Sequence, residues 1–161
     1  MGFKNQRQLR VLQKKMLDSP YLKKHMLQFQ QQQLKVVDDP KGLYTFCELK
    51  NFIDWDVKRV YFIQKSKGTG QHCHFVENEF FTLVKGTCIA IIDHGNGKED
   101  IPMKGPGDGI SVGNHVWHGF KDMSEDCILL AFSSTNYSPD RSDYCEDYEE
   151  YQKIIQEKKN V

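Results

Sequence analysis

From Leu34 onward the chain reads as a series of short apolar segments, each only a few residues long and each closed by Gly, Pro, Asn or Asp. Leu34–Val37, Leu43–Leu49, Val57–Gln64, Glu79–Val84, Cys88–Asp93 and Cys127–Ser134 fit strands. Segments this short and this regularly broken leave no room for helical packing and predict a mainly β fold, a sandwich or barrel. His94-Gly95-Asn96-Gly97 is the clearest hairpin turn, since Asn and Gly tolerate the positive φ angles that tight turns require. The two ends differ. From Phe3 to about Asp18 strong helix formers carry apolar residues at helical spacing, and Ser19-Pro20 looks like a cap and first position for a second helix through Tyr21, Leu22, Met26, Leu27 and Phe29, ended by the run Gln28 to Gln33. Asp143 to about Lys159 returns to helix, with Tyr144, Tyr148, Tyr151 and Ile155 on one face. The expected organisation is a helical extension over residues 1–33 and a barrel domain with a C-terminal helix over residues 34–161.

Several function classes drop out on composition. Lys+Arg and Asp+Glu are both 22 in 161 residues, so the basic excess of a nucleic-acid binder is missing. No segment is long and apolar enough to span a bilayer, and the amphipathic start does not read as a signal peptide. Five cysteines, odd in number and without a C-x-x-C pair, argue against a disulfide framework and for a reducing, cytoplasmic setting.

The chemistry gathers at His72-Cys73-His74. On an extended segment alternate side chains share a face, so both imidazoles point one way and Cys73, a small buried hydrophobe, points the other. Tyr61 shares a face with Arg59 and Ile63 for the same reason. The pattern His72-x-His74-x4-Glu79-x6-Gly86, with Val116-Trp117-His118 further on, resembles the two motifs of the cupin superfamily, whose small jelly-roll barrels (double-stranded β-helices) carry a site in the mouth. In metal-binding cupins the two histidines, the glutamate and a later histidine are ligands. Here those would be His72, His74, Glu79 and His118, a set that residue type alone does not match to one ion.

The flanking sequence narrows the resemblance. Asp39-Pro40-Lys41-Gly42-Leu43 with Glu48, Lys58-Arg59-Val60-Tyr61, His72-x-His74, Val116-Trp117, Ser134-x-x-Tyr137 and Asp143-Tyr144-x-x-Asp147-Tyr148 occur in that order. This is similar to the WxcM-like sugar 3,4-ketoisomerases, which act on dTDP-4-keto-6-deoxyglucose in making deoxyamino sugars for surface polysaccharides such as lipopolysaccharide O-antigen. The resemblance implies an isomerase without cofactor or obligatory metal that works through an enediolate, and a homodimer formed by strand exchange. It also implies roles: His74 as base, His72 as its partner on the sugar oxygens, Tyr61 as relay and Arg59 on the nucleotide, with Glu79, Trp117 and His118 lining the substrate. A base, an oxyanion stabiliser and a proton return are what such a reaction needs.

Three positions depart from the family pattern. Thr69 stands where an arginine commonly precedes the Gly-x-His-x-His run, Glu79 replaces a glutamine, and Lys41 replaces an arginine before Gly42. Lys65 or Lys67 would have to supply the cation. The acid at position 79 together with His118 completes the cupin metal set and keeps a metal-dependent cupin as one alternative, with a non-catalytic sugar-nucleotide-binding cupin as another. Read without the resemblance, Glu79 serves equally as a carboxylate orienting an imidazole, His118 as a rim residue beside Trp117, and His25 and His94 as solvated side chains.

Overall fold

The computed structural model describes residues 28–159. The two N-terminal helices, the Ser19-Pro20 cap and His25 lie outside the described residues. Two five-stranded antiparallel sheets form the body. The first runs β1 (Phe29–Gln33), β9 (Asp108–Val112), β6 (Glu79–Lys85), β11 (Ile128–Ser133), β4 (Arg59–Gln64). The second runs β12 (Tyr144–Cys145), β5 (Gly68–His74), β10 (Trp117–Lys121), β7 (Thr87–Asp93), β8 (Glu99–Lys104). A separate hairpin, β2 (Lys35–Asp39) with β3 (Gly42–Phe46), forms its own two-stranded sheet. A C-terminal helix, α1 (Tyr148–Lys159), closes the chain.

The alternation of strand side chains decides what each sheet encloses. Phe81 and Leu83 of β6, Ile92 and Ala90 of β7, Phe120 of β10 and Leu129 of β11 meet between the sheets as one buried core, with Tyr61 and Ile63 packed against it. The opposite faces are covered separately. Phe80 of β6 stacks on Phe52 at 5.4 Å, while Cys73 of β5 and Trp117 of β10 lie under Tyr151 and Ile155 of α1. Cys73 is thus the small buried hydrophobe expected, and its register partner across β12 is Cys145.

Four local expectations change. Phe29–Gln33 is not the end of a helix but the strand β1, paired with β9 from Phe29↔Val112 to Gln33↔Asp108; glutamine is a good helix former, but intrinsic propensity is small and the ladder on an open sheet edge outweighs it. The first strand of the barrel therefore begins five residues before the expected start at residue 34. The C-terminal helix begins at Tyr148, because Asp147 accepts hydrogen bonds from the N–H groups of Glu149 and Glu150 at 2.8 and 3.0 Å and so caps it there. Tyr144 belongs to β12 instead and pairs with His74. The His94–Gly97 turn does join β7 to β8, but His94 is not simply solvated: its Nε2 lies 3.1 Å from Glu99 and its ring lies 5.5 Å from that of Phe29.

Candidate active site

The site sits in the mouth between the sheets, in a cavity of about 700 Å³. Three imidazoles line it from one sheet. His72 and His74 come from β5, and His118 from the neighbouring β10. A bulge aims them. The register passes from His118↔His72 directly to Gly119↔Gly70, leaving Gln71 as the extra residue, with positive φ at both Gly70 (+79°) and Gln71 (+70°). An extra residue of this kind rotates the strand and redirects the side chains that follow it. The two strands come so close that a Cβ on Gly70 would stand 2.7 Å from Gly119 Cα, so glycine is required here for space as well as for φ.

Glu79, on β6 opposite, is 2 % exposed and ties the site together. Its Oε1 accepts a hydrogen bond from Tyr61 Oη at 2.7 Å. Its Oε2 lies 3.1 Å from His118 Nε2 and 3.4 Å from His74 Nε2. Burial would raise the pKa of this carboxyl, but the hydrogen bonds from His118 and His74 hold it well below the ordinary carboxylate range. Tyr61 is pushed upward, first by burial and then by the Glu79 charge, and stays a phenol. His118 Nδ1 lies 3.1 Å from the carbonyl of Val116, which can only accept.

The two central imidazoles sit in opposite fields. His72 is pushed down to about 3 by burial and by its neighbours His118 and His74. For His74 burial again lowers the pKa, but the Glu79 hydrogen bond and the charges of Glu79, Glu77 and Asp143 overcome it and raise it. His74 Nδ1 lies 3.2 Å from Asp143 Oδ2 and its Nε2 3.2 Å from His72 Nε2. Asp143 is anchored in turn by the N–H groups of Val76 and Glu77, at 2.7 and 3.1 Å.

The His72 shift has a measurable consequence for the metal-free protein. A histidine whose folded pKa is depressed contributes stability that is complete above the unfolded value of 6.5 and is lost as pH falls toward 3, at up to about 1.4 kcal/mol per pH unit for one proton. The melting temperature of His72→Asn is therefore expected to fall less steeply than that of the wild type between pH 6.5 and 4.5. Parallel curves over that window would refute the assignment.

Most of the expected site residues converge. Arg59, Tyr61, His72, His74 and His118 line the cavity, and Glu79 bonds three of them. His118 is buried, not a rim residue. Trp117 is the exception among the expected substrate residues: it alternates to the far side of β10, is 2 % exposed and packs on Tyr148 and Tyr151. Neither Lys65 nor Lys67 lines the cavity; its second cation is Arg141.

Sequence reasoning missed Glu77, Asp143, Tyr144, Tyr137 and Arg141. Glu77 is 4 % exposed and accepts from Arg59 Nη2 at 2.6 Å and from Thr135 Oγ1 at 2.7 Å. The Tyr144 ring abuts His72 and His74, with centroids 4.7 and 4.4 Å away. Tyr137, Asp143 and Tyr144 did carry a signal, since they stand in two of the ordered motifs; Glu77 and Arg141 carried none.

The donor atoms of His72, His74 and His118 lie within 4.8 Å of one another, and such a set fits a transition-metal ion. These three would hold it, and when bound it would polarise a carbonyl oxygen as a Lewis acid. Glu79 is engaged by Tyr61, His74 and His118.

Comparison with known proteins places the chain in a family. Residues 27–156 match the FdtA family, described as WxcM-like, C-terminal. A TDP-4-oxo-6-deoxy-alpha-D-glucose-3,4-oxoisomerase from Aneurinibacillus thermoaerophilus is 35% identical over 124 residues, 75% of this chain and 87% of that protein. The sugar 3,4-ketoisomerase QdtA from Thermoanaerobacterium thermosaccharolyticum, solved in complex with TDP, superposes with a TM-score of 0.70 at 26% identity, covering 80% of this chain and 95% of QdtA. A mutant of QdtA solved in complex with TDP-4-keto-6-deoxyglucose is equally similar, with TM-score 0.70 and 26% identity over 80% of this chain and 94% of that one. A 3,4-ketoisomerase from Helicobacter canadensis shares the fold, with TM-score 0.72 at 22% identity over 81% of this chain and 98% of the other.

Proposed function

The chain belongs to the FdtA, WxcM-like family, and from that premise we propose that it is a sugar-nucleotide 3,4-ketoisomerase that converts dTDP-4-keto-6-deoxyglucose to a dTDP-3-keto-6-deoxyhexose. The observation that carries the reading is the His72–His74–Glu79–Tyr61 network in a cavity large enough for the sugar. His74 is the base. Asp143 accepts from its Nδ1–H, so the proton lost from the ring is the one on Nε2 that Glu79 faces at 3.4 Å, and in the neutral ring this nitrogen takes the C3 proton. The raised pKa keeps this nitrogen basic near neutrality, where acid–base catalysis is most effective. The electron pair released from C3–H forms the enediolate, and the imidazolium returns its proton to C4. His72, held neutral, polarises a sugar oxygen by hydrogen bonding without adding a competing charge, and Tyr61 relays the hydroxyl proton from O3 to O4. Arg59, held by Glu77, adds positive charge to the cavity wall without leaving its ion pair.

Turnover of dTDP-4-keto-6-deoxyglucose in heavy water, followed by NMR, tests the reading. A new 3-keto product with deuterium at C4 or C3, unaffected by a chelator, is the expected result. Activity that disappears on chelation, with stoichiometric metal in the purified protein, would instead support the metal-dependent reading that the three clustered imidazoles allow. Binding of the nucleotide sugar with neither exchange nor product would favour the non-catalytic one.

The protein is further proposed to be a homodimer. The β2–β3 hairpin stands apart from both large sheets and exposes Val36, Leu43, Tyr44 and Phe46, while β4, an edge strand, exposes Val60 and Phe62 on its outer face. Unpaired apolar edges of this kind call for a cover, and the hairpin of a second copy supplies apolar area of the right kind. Phe62→Asp is expected to yield monomers in light scattering; an unchanged mass would remove β4 from the interface. The five free cysteines accord with a reducing cytoplasm, and no helix among the described residues is long and apolar enough to cross a membrane.

A further inference from the structure

The histidine cavity shares a wall with a second hollow of about 300 Å³, and Arg59, Arg141 and Tyr144 line both. The described lining of the larger cavity holds two guanidinium groups and no carboxylate, which suits an anionic ligand. The two arginines differ in how free they are to meet one. Arg59 is committed to Glu77, a carboxylate only 4 % exposed, at 2.6 Å, and its removal would leave that charge buried and unpaired. Arg141 is paired with Glu146 near the surface, where both side chains are more than half exposed, at 51% and 58%. An exposed pair of this kind contributes little and exchanges readily.

Arg141 is nevertheless well placed. Asp140 Oδ1 accepts from Ser138 Oγ, Ser142 Oγ and the Ser142 N–H at 2.9, 2.9 and 3.0 Å, which braces the turn on both sides of Arg141. The turn is closed by the Tyr144 N–H on the Arg141 carbonyl at 3.0 Å. The guanidinium carbon lies 4.5 Å from the Tyr144 ring centroid, and that ring abuts His72 and His74. The Tyr144 ring thus bridges the two imidazoles and the Arg141 guanidinium.

We propose that Arg141 is the cation that binds the diphosphate of the nucleotide sugar, and that Glu146 holds it in the free protein and is displaced when the ligand arrives. Rigid planar donors match phosphate oxygens in pairs, which makes an arginine effective in this place. The inference rests on the nucleotide-sugar reading and adds to it a residue that carries no sequence signal.

Titration calorimetry with dTDP on the full chain tests it through Arg141→Gln, Glu146→Gln and the double variant. Arg141→Gln is expected to weaken dTDP binding about tenfold or more and to raise KM with little change in kcat. Glu146→Gln is expected to tighten binding severalfold, because the competitor is gone, and this gain should vanish in the Arg141→Gln background. A merely structural pair would not produce that dependence. Wild-type affinity in Arg141→Gln, or the same Glu146→Gln effect in both backgrounds, would overturn the proposal. Inorganic pyrophosphate separates the two readings: if it binds in an Arg141-dependent way while dTDP does not bind, the anion site stands and the dTDP-sugar reading falls. If wild type binds neither, both fall.

Discussion

Replacing His74 by asparagine is expected to lower kcat by about 10³-fold, within the range general acid–base groups contribute, while dTDP affinity stays within about twofold of wild type. Asparagine can keep a hydrogen bond to Asp143, which touches His74 Nδ1 at 3.2 Å, but it has no nitrogen that can accept and return a proton. The same residue sets the pH profile. Because Glu79, Glu77 and Asp143 raise the His74 pKa against the effect of burial, the base is in its working form only above that value. The wild-type kcat/KM is therefore expected to rise with pH through a midpoint above 6.5. Rate measurements by NMR across pH 6 to 9 check both points. Turnover within tenfold of wild type in His74→Asn would remove His74 from the chemistry and leave His72 as the group to test.

The largest effect on stability is expected from Trp117→Ala. This indole is 2 % exposed, with its ring centroid 5.1 Å from that of Tyr148 and 5.4 Å from that of Tyr151, and it packs β10 against α1. Truncating a buried tryptophan costs about 3–5 kcal/mol, which for a chain of this length lowers the melting temperature by roughly 10 °C. Below the transition dTDP affinity should be unchanged, because Trp117 faces away from the cavity that His118 enters. Thermal unfolding together with calorimetry distinguishes this from a substrate-binding role, which would show as lost affinity at an unchanged melting temperature.

Both expectations show where strand alternation was informative and where it was not. It placed His72 with His74 and Tyr61 with Arg59, and set Cys73 apart from the histidines, because these relations are local and follow from the backbone repeat alone. The resemblance set Trp117 and His118 together at the substrate, and only the helix laid over one face of β10 showed that Trp117 packs away from the site. The resemblance carried by six ordered motifs settled the family and the jelly-roll architecture in advance. It did not locate β1, whose glutamines acquire strand conformation only by pairing with β9, some eighty residues further on.

The sequence by itself determined that two imidazoles share one strand face, since period-two geometry needs no tertiary information, and it pointed to Tyr61 and Glu79 through the family resemblance. Only the tertiary structure decided what charges and positions these side chains. His74 meets Asp143 across 69 residues of chain, Arg59 is balanced by Glu77, and Arg141 reaches a cavity where Thr69, on the local strand, offers no cation. Electrostatic fields fall with distance in space and burial, not with separation along the chain, so groups like these become visible only when the sheets have closed around them.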